Sequence, residues 1–508
     1  MRKLFTFFAL FWAFAGASVL WGTEIRLAAP RASVAQDETA VNEVFVVKMT
    51  EAGTLDGLLG AHKYDTDSIV VEGPMNAMDF QALWEASFYG YTGVINLEKA
   101  VIEEGRIPDR AFFNKEVQVK VQSDGKWVLS PVRLRHVILG EGIDEIGTRA
   151  FYAAVALERV TFTAPVRVIG VEAFATCWRF GRDYPVVFPE GLEVLSDCSF
   201  MDCGRFLSVT LPSTLKYLGA SVLMNRGLKE IEIPESIEYM GEFCLAYNPE
   251  LRRVVLPDKD IEFAGTGHFA HDYGMTELVV PSGMTAIPGA FCTGCAALAE
   301  FEIPESVESI GSWAFYCCPF TSVSLYEGVG DIGEGAFAMC DNLRHVTLPS
   351  TLESVGVNAF SDCSSLRTIL CKAAVPPVCI FTSTCTPFGY KGEEISATLG
   401  VPAGSGSLYE SADGWSLLRG IRELAPDQYE DFAGVERVSA AEGSVGIRTG
   451  RGEILIDGGA GEVYAVFGID GHQVAQGRLG DGSTSVSVPA GLYLVKAAAA
   501  CAKVAVGN

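Results

Sequence analysis

Fourteen cysteines and six histidines are the residues of this 508-residue chain best suited to metal, redox or nucleophilic chemistry. Cys292-Thr-Gly-Cys295 is a C-x-x-C pair. A zinc site asks for a second pair or nearby imidazoles, and a thioredoxin-like site asks for a βαβ context; neither accompanies this pair. His268-Phe-Ala-His271-Asp272 brings three candidate ligands together, yet it coincides with a worn copy of the repeat traced below. No G-x-S-x-G, P-loop, H-E-x-x-H or EF-hand pattern occurs. The carboxylates are scattered over turns, so no glycosidase acid pair can be assigned. The sequence therefore assigns no catalytic residue, no metal and no cofactor.

Sixty-three acidic residues against 38 basic give a net charge of −25. That balance argues against nucleic acid, which needs basic patches, and against anionic lipid surfaces. The apolar types make up 49% and the charged types 20%, enough for a packed core. Arg2 and Lys3, the apolar run Leu4 to Phe14 and the small residues Ala15-Gly16-Ala17 have the three-part form of a secretory signal peptide, placed at residues 1–22. No later apolar run reaches bilayer length. The expectation is an exported protein with no membrane insertion, either secreted or held at a bacterial cell surface.

The positioning scaffold is a repeat. Its consensus is roughly L-x-x-V-x-L-P-x-x-L-x-x-I-G-x-x-A-F-x-x-C. The apolar residue of the I-G step falls at Ile146, Ile169, Leu195, Leu218, Met240, Ile287, Ile310, Ile332 and Val355, mostly 22, 23 or 26 residues apart. The one gap of 47 holds the worn copy around Phe263 to Tyr273, and Ile107 begins another unit, giving about eleven turns. In L-x-x-V-x-L the alternation sends Val346 and Leu348 inward and His345 and Thr347 outward. Pro349 ends that strand because it cannot donate to a ladder. A-F-x-x-C reads as a short helical turn held by packing. Phe151, Phe174, Phe200, Phe315, Phe337 and Phe360 should stack as a spine. Cys177, Cys203, Cys318, Cys340 and Cys363 fill one inward slot, where a buried thiol suits a small apolar site. Cys371, Cys379 and Cys385 lie outside it and are the best candidates for a local disulfide.

This pattern resembles the BspA-like, treponemal-type branch of leucine-rich repeats found in Bacteroidetes surface proteins. The flanks are similar too: Ser68-Ile-Val-Val-Glu-Gly73-Pro74 and Val94-Ile-Asn-Leu97 before the array, Val375-Pro376-Pro377 through Ile421-Arg-Glu423 after it. The resemblance implies a fold of class α/β, a β-rich, right-handed leucine-rich-repeat solenoid of parallel strands. It spans residues 106–375, between an N-terminal flank and cap at 23–105 and a C-terminal cap at 376–425. Asn76 should cap a helix through Asp79, Leu83 and Trp84 within the first cap. A linker near 425–433 leads to residues 435–508, where Asp470-Gly471 and Asp481-Gly482 are hairpin signals between strand-like runs. Pro489-Ala-Gly491-Leu-Tyr493 and Lys503-Val-Ala-Val506 resemble the C-terminal β-sandwich that sorts cargo through type IX secretion, which would make that machinery a partner. The alternative reading is a plain accessory β-domain.

A solenoid offers its outward strand positions to ligands. By alternation these include Arg159, Thr161, Ser208, Thr210, Glu230, Glu232, Arg253, Glu277, Glu300, Glu302, Ser322 and His345, with His136, Ser324 and Thr347 beside them. The glutamates make an acidic middle around Arg253. The expectation is a non-enzymatic binding or adhesion protein with an extracellular protein or glycan on a concave sheet. The rival is a structural or antigenic spacer, and an unrecognised hydrolase stands third.

Overall fold

The computed structural model describes residues 44–113, 120–121, 127–128, 133–224, 226–391 and 395–432, together with strands between 446 and 506. The signal-peptide segment, most of the 115–131 insertion and the Asp470-Gly471 turn lie outside the described residues. The chain divides into a unit ending at Glu423 and a second beginning at Leu424.

The first unit is a parallel-strand solenoid with two ladders. The first ladder opens with Val44–Lys48, Ser68–Met75, Val94–Ile102, His136–Leu139 and Arg159–Phe162, all parallel. Short pairs carry it through Val186–Val187 with Val209–Thr210 and Arg253–Val255 with Glu277–Val279. It closes with Ser322–Ser324, His345–Leu348, Thr368–Cys371, Thr398–Pro402 and Ile421–Leu424. The second ladder is built from the I-G step: every step residue named above sits buried at the second position of a two-residue strand. This ladder is split. Its first sheet ends at Glu262–Phe263 and its second begins at Ala286–Ile287.

The turns number about sixteen, not the eleven expected from the repeat. Both segments assigned as caps wind as further turns. Ladder pairing is made by the backbone, so a segment can join without the consensus side chains. In the first two turns helices take the return path that later turns give to the second ladder: Leu55–Leu59 and His62–Asp65, then Ala77–Phe88. Asn76 caps the last of these in a capping box. The fully buried Asp79 carboxylate accepts from the backbone N–H groups of Gly53 at 2.7 Å, Leu55 at 3.0 Å and Asn76 at 2.9 Å.

The A-F-x-x-C segment is not a helical turn. The residues two before and two after each spine phenylalanine have positive φ, as at Trp313 (60°) and Cys317 (59°) around Phe315, or Asn358 (59°) and Asp362 (57°) around Phe360. That left-handed alternation excludes an α-helix and turns backbone groups along the solenoid axis. The spine Phe N–H donates to the next turn, Phe151 to Ala173 at 2.7 Å and Phe337 to Ala359 at 2.8 Å. A third line of cross-turn bonds thus replaces the expected intrahelical ones. The rings stack with centroids 5.0 Å apart for Phe151–Phe174, 5.1 Å for Phe174–Phe200 and 5.5 Å for Phe337–Phe360.

The thirteen described cysteines are thiols, including Cys371, Cys379 and Cys385, so the expected local disulfide is absent there. Cys371 is instead held by the buried Tyr409 hydroxyl, which donates to its sulfur at 3.2 Å. In the inward slot each thiol donates to the spine carbonyl one turn back: Cys177 to Phe151, Cys203 to Phe174, Cys295 to Phe269, Cys318 to Cys292, Cys340 to Phe315 and Cys363 to Phe337, all at 3.1 to 3.3 Å. Three successive turns break the series. Arg226, Asn248 and Asp272 occupy the slot and are buried. Asn248 accepts from the backbone N–H of Arg226 at 2.9 Å and Leu228 at 3.2 Å, and its amide donates to the carbonyls of Leu223 at 3.0 Å and Leu245 at 2.5 Å. Asp272 Oδ1 accepts from Asn248 N–H at 2.7 Å, while its Oδ2 has no partner.

The second unit forms two antiparallel sheets, one of three strands and one of four. Ile454, Ile456, Val466, Val486, Tyr493 and Val495 from the two sheets form one apolar cluster.

Candidate binding face of the first ladder

Alternation along each first-ladder strand buries one row of side chains and exposes the rows beside it. Val137, Val254, Leu278, Val323 and Val346 are buried. The twelve residues assigned from the sequence lie on the other side. All are exposed except His345, which is half-buried. Parallel register aligns them along the axis: His136 with Arg159, Glu230 with Arg253, Arg253 with Glu277, Ser322 with His345. Glu300 and Glu302 stand on an extended segment outside any strand.

The face has three electrostatic zones. In the middle, Arg253 Nε donates to Glu277 Oε2 at 2.9 Å, and Glu230, Glu232 and Glu302 add acidic charge on nearby turns. Toward the C-terminal end the row is hydroxyl-rich, and His345 Nδ1 lies 2.9 Å from Thr368 Oγ1. Thr347, expected outward, is covered. Toward the N-terminal end the zone is basic and aromatic. The Arg159 guanidinium lies over the Tyr184 ring, 4.7 Å from its centroid. The Arg133 guanidinium lies 4.1 Å over Tyr91. His136 Nε2 is 2.8 Å from Thr161 Oγ1. Partial burial, then the Arg159 charge, push the His136 imidazole down to about 4, so it is neutral at pH 7.

Alternation found the outward rows but missed Arg133, Tyr91 and Tyr184, which lie just before the strands. The Trp178–Pro185 loop hides the turn at Val186–Val187 that brings Tyr184 to Arg159. A break in the spacing before Val186 is the signal that could have found it.

Among the residues singled out for chemistry, the Cys292 and Cys295 thiols are hydrogen-bonded to each other with Asp272 nearby, while His268 and His271 have other partners. Cys292 takes the spine slot of its turn and Cys295 the thiol slot, both fully buried. His268 is also fully buried, its Nε2 3.3 Å from the Met240 carbonyl oxygen and its Nδ1 unpartnered; burial pushes it down to about 4. His271 instead packs on the Tyr247 ring, 4.7 Å between centroids. Among the described residues, no three His, Cys, Asp or Glu side chains converge to hold a metal ion. None of the described helices is long and apolar enough to cross a membrane.

The family model described as a BspA type leucine rich repeat region matches residues 87–181, 184–298 and 262–378, together more than half of the chain. No curated protein matches it. Among solved structures, a leucine-rich repeat protein from Bacteroides ovatus is 20% identical with a TM-score of 0.45, over 64% of this chain and 86% of that one. A leucine rich cell surface protein from Faecalibacterium prausnitzii is 19% identical with a TM-score of 0.28, over 55% and 83%. The pneumococcal vaccine antigen PcpA is 16% identical with a TM-score of 0.33, over 71% and 80%.

Proposed function

The chain belongs to the BspA type leucine rich repeat family, and from that premise we propose that it is a non-enzymatic binding protein. It is exported to the outside of a bacterial cell and holds a protein or a glycan on the outward face of the first ladder. One observation carries this reading: the same register that buries one row of side chains displays a long row of polar side chains at one-turn spacing. Such a row makes many weak contacts with an extended partner and suits recognition better than turnover. Export rests on the Arg2–Ala17 segment, and surface retention on the likeness of residues 435–508 to a sorting domain.

A glycan and host-protein array tests the reading with full-length protein. A ligand should be found, and Thr210→Trp with Ser322→Trp, which crowd the face without touching the core, should abolish its capture while leaving the melting temperature unchanged. Finding no ligand would favour the spacer. Deleting residues 435–508 should cost surface display in the native host; equal surface amounts would make the tail a plain β-domain.

A further inference from the structure

We propose that the N-terminal third of this face docks a short anionic oligosaccharide bearing sulfate or carboxylate groups. The inference rests on the reading of the face given above and adds a place and a ligand class. Four successive turns contribute, those of Tyr91, Arg133, Arg159 and Tyr184, a span of ~15 Å at the usual strand spacing. Two guanidinium groups are held over tyrosine rings. Arginine planes fixed in this way lose little freedom when they bind a carboxylate or sulfate. Among the described residues, no carboxylate lies within ion-pair distance of Arg133 or Arg159, whereas Arg135, Arg179 and Arg205 each have one. In a chain of net charge −25, uncompensated cations gathered at one place mark a preference for an anion.

The aromatic component favours a sugar over an acidic peptide. Tyr91 is 59% exposed and Tyr184 38%, so both rings offer apolar surface beside the charges. A peptide that adds as a strand needs a free ladder edge. Here Val94–Ile102 and His136–Leu139 are each paired on both sides, and only the four-residue strand Arg159–Phe162, last in its sheet, has an open edge, too short to hold a peptide across four turns. The acidic middle of the face repels an anion and limits the site to these turns.

Fluorescence anisotropy with full-length protein tests this. The probes are a heparin hexasaccharide for sulfate, a galacturonate hexamer for carboxylate, maltohexaose as the neutral sugar and hexaglutamate as the acidic peptide. At least one anionic sugar should bind, and more weakly as salt rises. Arg133→Gln with Arg159→Gln should weaken it about tenfold or more, the usual cost of losing charge-assisted bonds. Arg367→Gln, an exposed arginine at the far end of the ladder, should leave it unchanged. Binding of maltohexaose or hexaglutamate as tight as that of the anionic sugars, or full affinity in the double variant, would overturn the proposal. So would failure of both anionic sugars. If both fail while an array ligand is held and is lost with Thr210→Trp and Ser322→Trp, this inference falls and the wider reading stands; if those changes also leave the array ligand bound, the wider reading falls with it.

Discussion

The inward slot is filled in two ways along one solenoid. On either side, a thiol makes one weak bond to the turn behind it and otherwise behaves as a small apolar group. In the three central turns, Arg226, Asn248 and Asp272 knit backbone and side chain across turns instead. The difference is one of tolerance. A thiol slot asks only for size, while a polar slot must satisfy every donor and acceptor or lose free energy. Asn248 meets that demand. Asp272 does so with one oxygen, unlike Asp79, whose carboxylate takes three N–H groups. Burial pushes the Asp272 carboxyl well above its ordinary value, with the nearby Cys295 thiol adding to the shift.

The largest test sits in the apolar part. Phe337→Ala should cost about 3–5 kcal/mol in denaturant unfolding, because its ring lies buried between Phe315 and Phe360. A loss below about 1 kcal/mol would place the ring outside the core.

Asn248→Ala should cost about 2–3 kcal/mol by orphaning buried backbone groups, against about 1 kcal/mol for Cys318→Ala. Equal losses would erase the distinction between the two kinds of slot.

Asp272→Asn keeps the acceptor and removes the group whose charged form is penalised by burial, so it should stabilise by about 1–2 kcal/mol at pH 7. The sign with pH follows from the raised folded value. Below about 3.8, its ordinary value, the carboxyl is protonated folded and unfolded alike and the two proteins should match. As pH climbs from there toward the folded value, only the unfolded carboxyl sheds its proton, and the wild type loses stability relative to the variant. Parallel pH profiles of melting would show that Asp272 is solvated.

Removing residues 435–508 should have the smallest effect. The tail has its own apolar cluster, and both kinds of slot should melt unchanged, within about 0.5 kcal/mol. A collapsed transition in calorimetry would show that the solenoid needs it.

The second ladder was legible in the sequence because each I-G residue must be buried at a fixed period. The worn turn was legible too, and His268 occupies the alanine slot there, its carbonyl accepting from the Leu245 N–H of the turn before. Arg226 and Asn248 escaped notice because a buried arginine or asparagine looks like an exposed one until the register is laid out. The flanking turns escaped because backbone pairing leaves no side-chain signature. The A-F-x-x-C segment misled because its i to i+3 spacing suits a helix, while the positive φ of ordinary residues such as Trp313 and Met339 has no mark in composition. The outward rows were legible from alternation, but the cation–ring pairs depend on loops whose path alternation does not give.

The split of the second ladder between Phe263 and Ala286 bears on mechanics. When a rod of stacked turns is pulled along its axis, every junction carries the same tension, so the weakest sets the strength of the whole. Here the junction keeps the first-ladder bonds between Arg253–Val255 and Glu277–Val279 and the spine bond from Phe269 to Phe291, but has no second-ladder pair. The neighbouring junctions toward Ser322–Ser324 keep the second ladder and lack a first-ladder pair instead, so tension passes from one ladder to the other here, and this central stretch should open before the doubly laddered ends unravel.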